Sequence, residues 1–164
     1  MRKAILLFAL AVLSLGYTSA QETTTFILVR HAEKASDGTR DPGLTEEGEA
    51  RSERFKTLFE NAEIGAIYSS PYKRTRATVA PLASALSLEV KEYNPGSRTY
   101  VSEILEAQKG KTVVISGHSN TIPFAANALL GKEQFQQFKE SEYNNILVVA
   151  VRAMGDASVT VLNF

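Results

Sequence analysis

Strand-like and helix-like segments alternate along this chain, and that alternation predicts a mainly parallel sheet covered by helices on both faces. The run TTFILVR (24–30) is an apolar strand that ends in a polar loop. EEGEARSERFKTLFE follows, with Phe55, Leu58, Phe59 and Ala62 spaced as one helical face and Thr45 placed to cap it. IGAIYSS is a second strand. SPYKRTRATVAPLASAL is a helix opened by Ser70 and Pro71, with Val79, Leu82, Ala83 and Leu86 inward and Pro81 expected to kink it. LEVKEY is a third strand, RTYVSEILEAQ a helix burying Val101, Ile104 and Leu105, and KTVVISG a fourth strand. NTIPFAANALLG reads as a helix with Ile122, Ala125, Ala126, Leu129 and Leu130 on one stripe, closed by Gly131. A short helix is expected near EQFQQFK. NILVVAVRA and SVTVLNF, separated by MGDA, then form an antiparallel hairpin at the end of the chain. The expected fold is therefore α/β, three-layered and doubly wound, with an antiparallel C-terminal hairpin.

The first 20 residues read differently. Arg2 and Lys3 precede the apolar run AILLFALAVLSLG, and Thr18 and Ala20 are small residues placed before a cut. This predicts a secretory signal peptide cleaved after Ala20, since the run is short for a bilayer-spanning helix. Residues 21–164 are then expected to form one domain, exported to the periplasm or the medium and free of the membrane once the leader is removed. Losing Arg2 and Lys3 leaves 16 basic residues against 18 acidic ones. Such a balance argues against a nucleic-acid partner, which calls for a strongly basic domain. There is no Cys, which excludes disulfides, thiolate catalysis and Cys-based metal sites.

Ligands of open α/β sheets bind beyond the carboxyl ends of the strands, and three strand ends here carry suggestive groups. The first ends in Arg30-His31. The second leads through SSPYKR to Arg74 in the first turns of a helix. The fourth ends in GHSN, with His118 just before a helix. The chain has two His, and both fall at strand ends. Lys73, Arg74 and Arg76 crowd a helix N-terminus, where cations are mildly unfavourable unless an anion binds. Lys73 and Arg76 read as solvated, and Arg74 reads as functional. GHSNT departs from the nucleophile elbow of serine esterases at its last position, and no His follows it to complete a triad. GKT (110–112) lacks the first Gly of a P-loop and precedes a strand rather than a helix.

LVRHAEK, LTEEGEAR, SSPYKRTRATVAPLA and VVISGHSN resemble, in order, the signature segments of the histidine phosphatase superfamily, and the chain's compact size is most similar to the small phosphohistidine-phosphatase-like branch. The resemblance implies that His31 is the nucleophile that takes the phosphoryl group, and that Arg30, Arg74 and His118 surround its oxygens. It implies a metal-independent phosphohydrolase without cofactor, acting on phosphomonoesters or phosphoramidates. The substrate would be a small phosphorylated compound or a phosphoprotein. Asn120 and Thr121 follow His118, and Asn120 reads equally as a helix cap and as a polar wall for substrate. Ala32 replaces the family's usual Gly. Asp37 stands near the place of a phosphate-binding Asn of the mutases, which argues against mutase activity. Ser119 stands where the phytase-like branch has an acid, so the leaving-group acid is unassigned, with Glu33 and Glu92 as candidates by location. The loops 35–43 and 94–99 are expected to shape the entrance. The alternative from another class is an inactive anion-binding protein of the cell envelope.

Overall fold

The computed structural model describes residues 22–164. The expected leader, residues 1–20, lies outside them. Strands β1 (Thr24–Arg30), β2 (Ile64–Ser69), β3 (Val90–Glu92), β4 (Thr112–Gly117), β5 (Asn145–Ala153) and β6 (Asp156–Asn163) form one sheet in the order β3-β2-β4-β1-β5-β6. β1 and β4 pair in parallel from Thr25–Thr112 to Arg30–Gly117, and β2 pairs in parallel with both β4 and β3. β5 runs antiparallel to β1 and to β6, the expected hairpin.

Side chains alternate across the strands, and so two cores form. Phe26, Leu28, Val113, Ile115, Leu147 and Val149 meet α3 (Tyr100–Ala107) and α4 (Thr121–Leu130) on one face. Ile27, Val29, Ile67, Val114 and Ile146 meet α1 (Glu46–Phe59) and α2 (Lys73–Ala85) on the other. A central strand apolar on both faces explains the unbroken FILV run.

Several local expectations are met and others are corrected. Thr45 caps α1, its Oγ1 accepting from the Gly48 N–H at 3.1 Å. Gly131 ends α4 in a left-handed conformation, φ 66°. Along α1 the buried stripe is Gly48, Ser52 and Phe55, and Leu58 is 55% exposed. Gly48 is required there because a Cβ would collide with the backbone carbonyl of Glu33. α2 starts at Lys73, not at Ser70, and runs on through Pro81. Its end is capped from elsewhere in the chain: the Asp41 carboxylate accepts from the Lys73 N–H at 3.1 and 3.2 Å.

The helix expected near EQFQQFK is absent. The cause is Asn127, a buried residue of α4. Its Oδ1 accepts from the N–H groups of Gln134 and Phe135 at 3.0 and 2.9 Å, and its Nδ2 donates to the Phe135 carbonyl at 2.8 Å. The Phe138 N–H donates to the Ser119 carbonyl at 2.9 Å. The Phe135 carbonyl and the Phe138 N–H, which a helix would pair internally, are thus committed to α4 and to the turn after β4.

Candidate active site

The carboxyl ends of β1, β4 and β2 lie side by side, and the turns beyond them are stapled together. The His31 N–H donates to the Gly117 carbonyl at 2.9 Å, and the Ala32 N–H to Thr78 Oγ1 on α2 at 2.9 Å. Ser116 Oγ donates to the Thr75 carbonyl at 2.9 Å. Gly117 has no room for a side chain, since a Cβ would meet Thr121 Oγ1 and the Tyr93 hydroxyl, each at 2.7 Å. These contacts open a cleft of about 390 Å³ lined by Arg30, His31, Arg74, His118 and Asn120 among others. Four groups read from separate stretches of sequence therefore converge, with Asn120 on the wall.

His31 is 3% exposed. Its Nδ1 lies 2.8 Å from the Ala32 carbonyl. A carbonyl only accepts, so Nδ1 carries the proton and Nε2 keeps its lone pair. Burial pushes the His31 pKa down to about 3; the Ala32 carbonyl opposes this, and Arg30, Arg74 and His118 add to it. His118 is lowered to about 4, first by burial and then by Arg74, Arg30 and Lys34. Both imidazoles are neutral near pH 7.

A hydrogen-bond chain fixes the His118 tautomer. Thr75 Oγ1 donates to the carbonyls of Ser70 or Tyr72, each at 2.9 Å, and Ser70 Oγ donates to Thr75 Oγ1 at 3.0 Å. Ser70 Oγ is then left to accept from His118 Nε2 at 2.9 Å. His118 Nδ1 is the acceptor, 3.5 Å from Arg74 Nη2. The expected capping role of Ser70 is replaced by this one. The two imidazole rings lie edge to face, their centroids 5.6 Å apart.

The two arginines are held from behind. Arg30 is 1% exposed, and its Nη1 donates to the carbonyls of Lys139, Glu140 and Glu142 at 2.7, 3.2 and 3.0 Å. Its guanidinium lies 4.2 Å from the centre of the Tyr143 ring. Arg74 packs 4.6 Å from the Tyr72 ring centre, and its Nη1 is 3.5 Å from Asp41 Oδ1. Arg30 Nε and Arg74 Nε are both buried without a hydrogen-bond partner. Unsatisfied donors on buried cations are costly.

The other sequence candidates fall elsewhere. Glu33 is bonded to Arg51, whose Nε reaches both carboxylate oxygens at 2.9 Å and whose Nη2 reaches Oε1 at 2.6 Å. Glu92 pairs with Arg76. Neither lines the cleft. Asp37 accepts from the N–H and hydroxyl of Thr39 at 2.9 and 2.7 Å, away from the cleft, so it does not repel an anion there. Asn120 makes no side-chain cap bond to α4; Thr121 Oγ1 instead accepts from the His118 N–H at 2.8 Å. That correction leaves Asn120 as a wall residue. Of the expected entrance loops, Pro95 and Gly96 line the cleft. Sequence reasoning missed Lys34, Tyr72 and Glu140, which line the cleft, and Asp41, which holds Arg74. The available signals were Lys34, which ends LVRHAEK, and Tyr72, two residues before Arg74 in SSPYKRTRATVAPLA. Among the described residues, no three His, Cys, Asp or Glu side chains gather to hold a metal.

Comparison with known proteins agrees with this geometry. The model of the histidine phosphatase superfamily (branch 1) matches residues 26–94, which include Arg30, His31 and Arg74. Phosphoserine phosphatase 1 of Hydrogenobacter thermophilus is 39% identical over 70 residues, covering 39% of this chain and 33% of the relative. The match thus spans about a third of that relative's length. Among solved structures, the protein histidine phosphatase SixA complexed with tungstate superposes with a TM-score of 0.69 at 21% identity, over 85% of this chain and 96% of that one. The mycobacterial glucosyl-3-phosphoglycerate phosphatase gives 0.68 at 14% identity, over 87% and 99%. Phosphoserine phosphatase of Entamoeba histolytica gives 0.66 at 18%, over 86% and 97%. At such identities the structural likeness speaks for the fold, while the family model adds the motif that carries Arg30, His31 and Arg74. Over residues 26–94 the chain matches the histidine phosphatase superfamily (branch 1), and its fold is shared with the phosphatase structures above.

Proposed function

We propose that this protein is a phosphohydrolase that acts through a phosphohistidine on His31. One observation carries the reading: a buried, neutral His31 whose Nδ1 holds its proton against the Ala32 carbonyl lines one cleft with two guanidiniums, Arg30 and Arg74, and with His118. Phosphoryl transfer is mainly positioning and charge stabilisation. Arg30 and Arg74 offer forked donors to the equatorial oxygens of a phosphate. Nε2 attacks phosphorus; an N–P bond forms, and the bond to the leaving group breaks with its electron pair going to that group. Water then attacks the phosphohistidine, the N–P bond returns its pair to Nε2, and phosphate leaves with the water oxygen. A dianion beside His118 favours its protonation at Nδ1, which turns that atom into a further donor to the phosphate. Every step is assigned to side chains of this chain, and none to a metal.

Glu33 and Glu92 are engaged elsewhere, so the cleft provides neither of the expected carboxylic acids to protonate a departing alkoxide. Activated phosphates, such as acyl phosphates or phosphoramidates, are therefore expected to turn over faster than simple alkyl phosphates; equal rates would count against this. The leader-like residues 1–20 place the reaction outside the cytoplasm in this reading, in the periplasm or the medium. The test is a panel of phosphorylated compounds with wild type and His31→Ala, followed by acid and alkaline quenching of labelled enzyme. The expected result is hydrolysis with an acid-labile, alkali-stable label, both absent from His31→Ala, which still binds phosphate. A wild type that binds phosphate but releases none from any substrate would establish an anion-binding protein instead.

A further inference from the structure

Glu140 is a carboxylate in a cleft built for an anion. It belongs to the irregular segment between α4 and β5, and its side chain is 73% exposed at the cleft mouth. It is also anchored: its backbone carbonyl accepts from Arg30 Nη1 at 3.2 Å while its Oε2 lies 3.3 Å from Arg30 Nη2. Both ends of one residue grip one buried guanidinium, so the carboxylate is a fixture of the mouth. Lys34 Nζ stands 3.7 Å from the same Oε2.

Depth in the cleft separates the two ends of a substrate. His31 is 3% exposed and Arg30 1%, so the phosphate lies deep and the group bonded to it points outward, past Glu140. The charges decide what that group should be. Glu140 is the carboxylate that this group meets at the mouth. Relative to a neutral substituent, one with its own positive charge is attracted to it, and one with a negative charge is repelled. We infer that Glu140 selects substrates whose leaving group carries a positive charge, namely phosphates of amine-bearing alcohols and phosphoramidates that depart as protonated amines. This rests on the reading of the cleft as a phosphoryl-transfer site, with the phosphate against His31.

Binding and turnover are read separately, because simple alkyl phosphates are expected to be slow. Calorimetry on His31→Ala would use three compounds of similar size: 2-aminoethyl phosphate, ethyl phosphate and phosphoglycolate. The expected order of affinity is that order, with a span of about tenfold at each step for one added charge at the mouth. In His31→Ala/Glu140→Gln the preference for 2-aminoethyl over ethyl phosphate is expected to fall below about twofold, with Lys34 released to favour phosphoglycolate. Inorganic phosphate, which has no leaving group, should bind the double variant as tightly as its parent or more tightly. A parent without charge preference, or a preference that survives loss of Glu140, would overturn the inference. So would loss of phosphate binding in the double variant, since the carboxylate would then serve only to hold Arg30. Wild-type turnover of the same compounds and of an acyl phosphate separates the two ideas. Selective binding without turnover by wild type would retain the selectivity and reject the phosphatase reading; turnover with flat affinities would do the reverse.

Discussion

The protonation of His31 can be read as stability, independently of any substrate. Its pKa is about 3 in the folded protein against 6.5 for the ordinary group. Because the folded pKa is depressed, the unfolded chain binds more protons than the folded one between these values. Stability is therefore full above pH 6.5 and falls as pH drops towards 3. Between pH 7 and pH 5 the proton taken up by the unfolded chain costs the fold about 2 kcal/mol. The control is His31→Asn, whose amide N–H can replace Nδ1–H towards the Ala32 carbonyl but does not titrate. His118 is present in both proteins, so its own contribution cancels in the comparison. Urea unfolding of each protein in phosphate-free buffer at pH 7 and pH 5 gives the difference directly. With a slope near 2 kcal/mol/M, the wild-type midpoint should fall by about 1 M more than that of the variant. Parallel losses in the two proteins would refute the claim that His31 is buried neutral, and with it the ready nucleophile. The same measurement with 10 mM phosphate present (about that concentration suffices for a site of millimolar affinity) should shrink the difference, because a bound dianion favours the protonated ring.

Three further outcomes follow from contacts at the site. Arg74→Lys keeps the charge but loses the planar fork, and should raise KM at least about tenfold with an unchanged fold, as read from steady-state kinetics and circular dichroism. Ser70→Ala removes the acceptor for His118 Nε2–H; kcat/KM should fall about three- to tenfold, and the ring-nitrogen NMR shifts of His118 should show a mixture of tautomers. Gly48→Ala sets about 1 kcal/mol of gained helix propensity against a Cβ driven into the fixed Glu33 carbonyl. Overpacking against backbone costs about 1–3 kcal/mol, so thermal unfolding should show a net loss.

Which parts of this molecule were legible in its sequence follows from how far each interaction reaches. Every strand and four of the five expected helices are recovered because their signals are local: period-2 or period-3.6 apolar spacing, Thr45 before α1, Gly131 after α4. Arg30, His31, Arg74 and His118 were legible because each abuts a strand end, and strand ends of a parallel sheet gather by topology. Leu58 was misread because α1 lies close on Glu33 through Gly48, which turns its buried stripe towards Ser52 and Phe55. The helix near EQFQQFK was misread because its Phe135 carbonyl is bonded to Asn127 and its Phe138 N–H to the Ser119 carbonyl, and a polar residue inside an apolar helix gives no hint of what it will bind. Asp41 was invisible as the cap of α2 because it lies 32 residues away from the N–H it accepts.

The same argument explains why the conspicuous motif depends on the least patterned stretch. A guanidinium buried to 1% exposure at the end of an apolar strand is costly unless its donors are met and its charge is balanced. The strand itself cannot do this, since its own carbonyls are spent on β4 and β5. The compensation comes from residues 139–143: three carbonyls, one carboxylate and the face of Tyr143. These residues lie outside every helix and strand, so their carbonyls are available to hold Arg30. With Nη1 committed to the loop, the guanidinium is fixed in the wall of the cleft beside His31 and Arg74, where the anion that the sequence motif calls for would meet their combined charge.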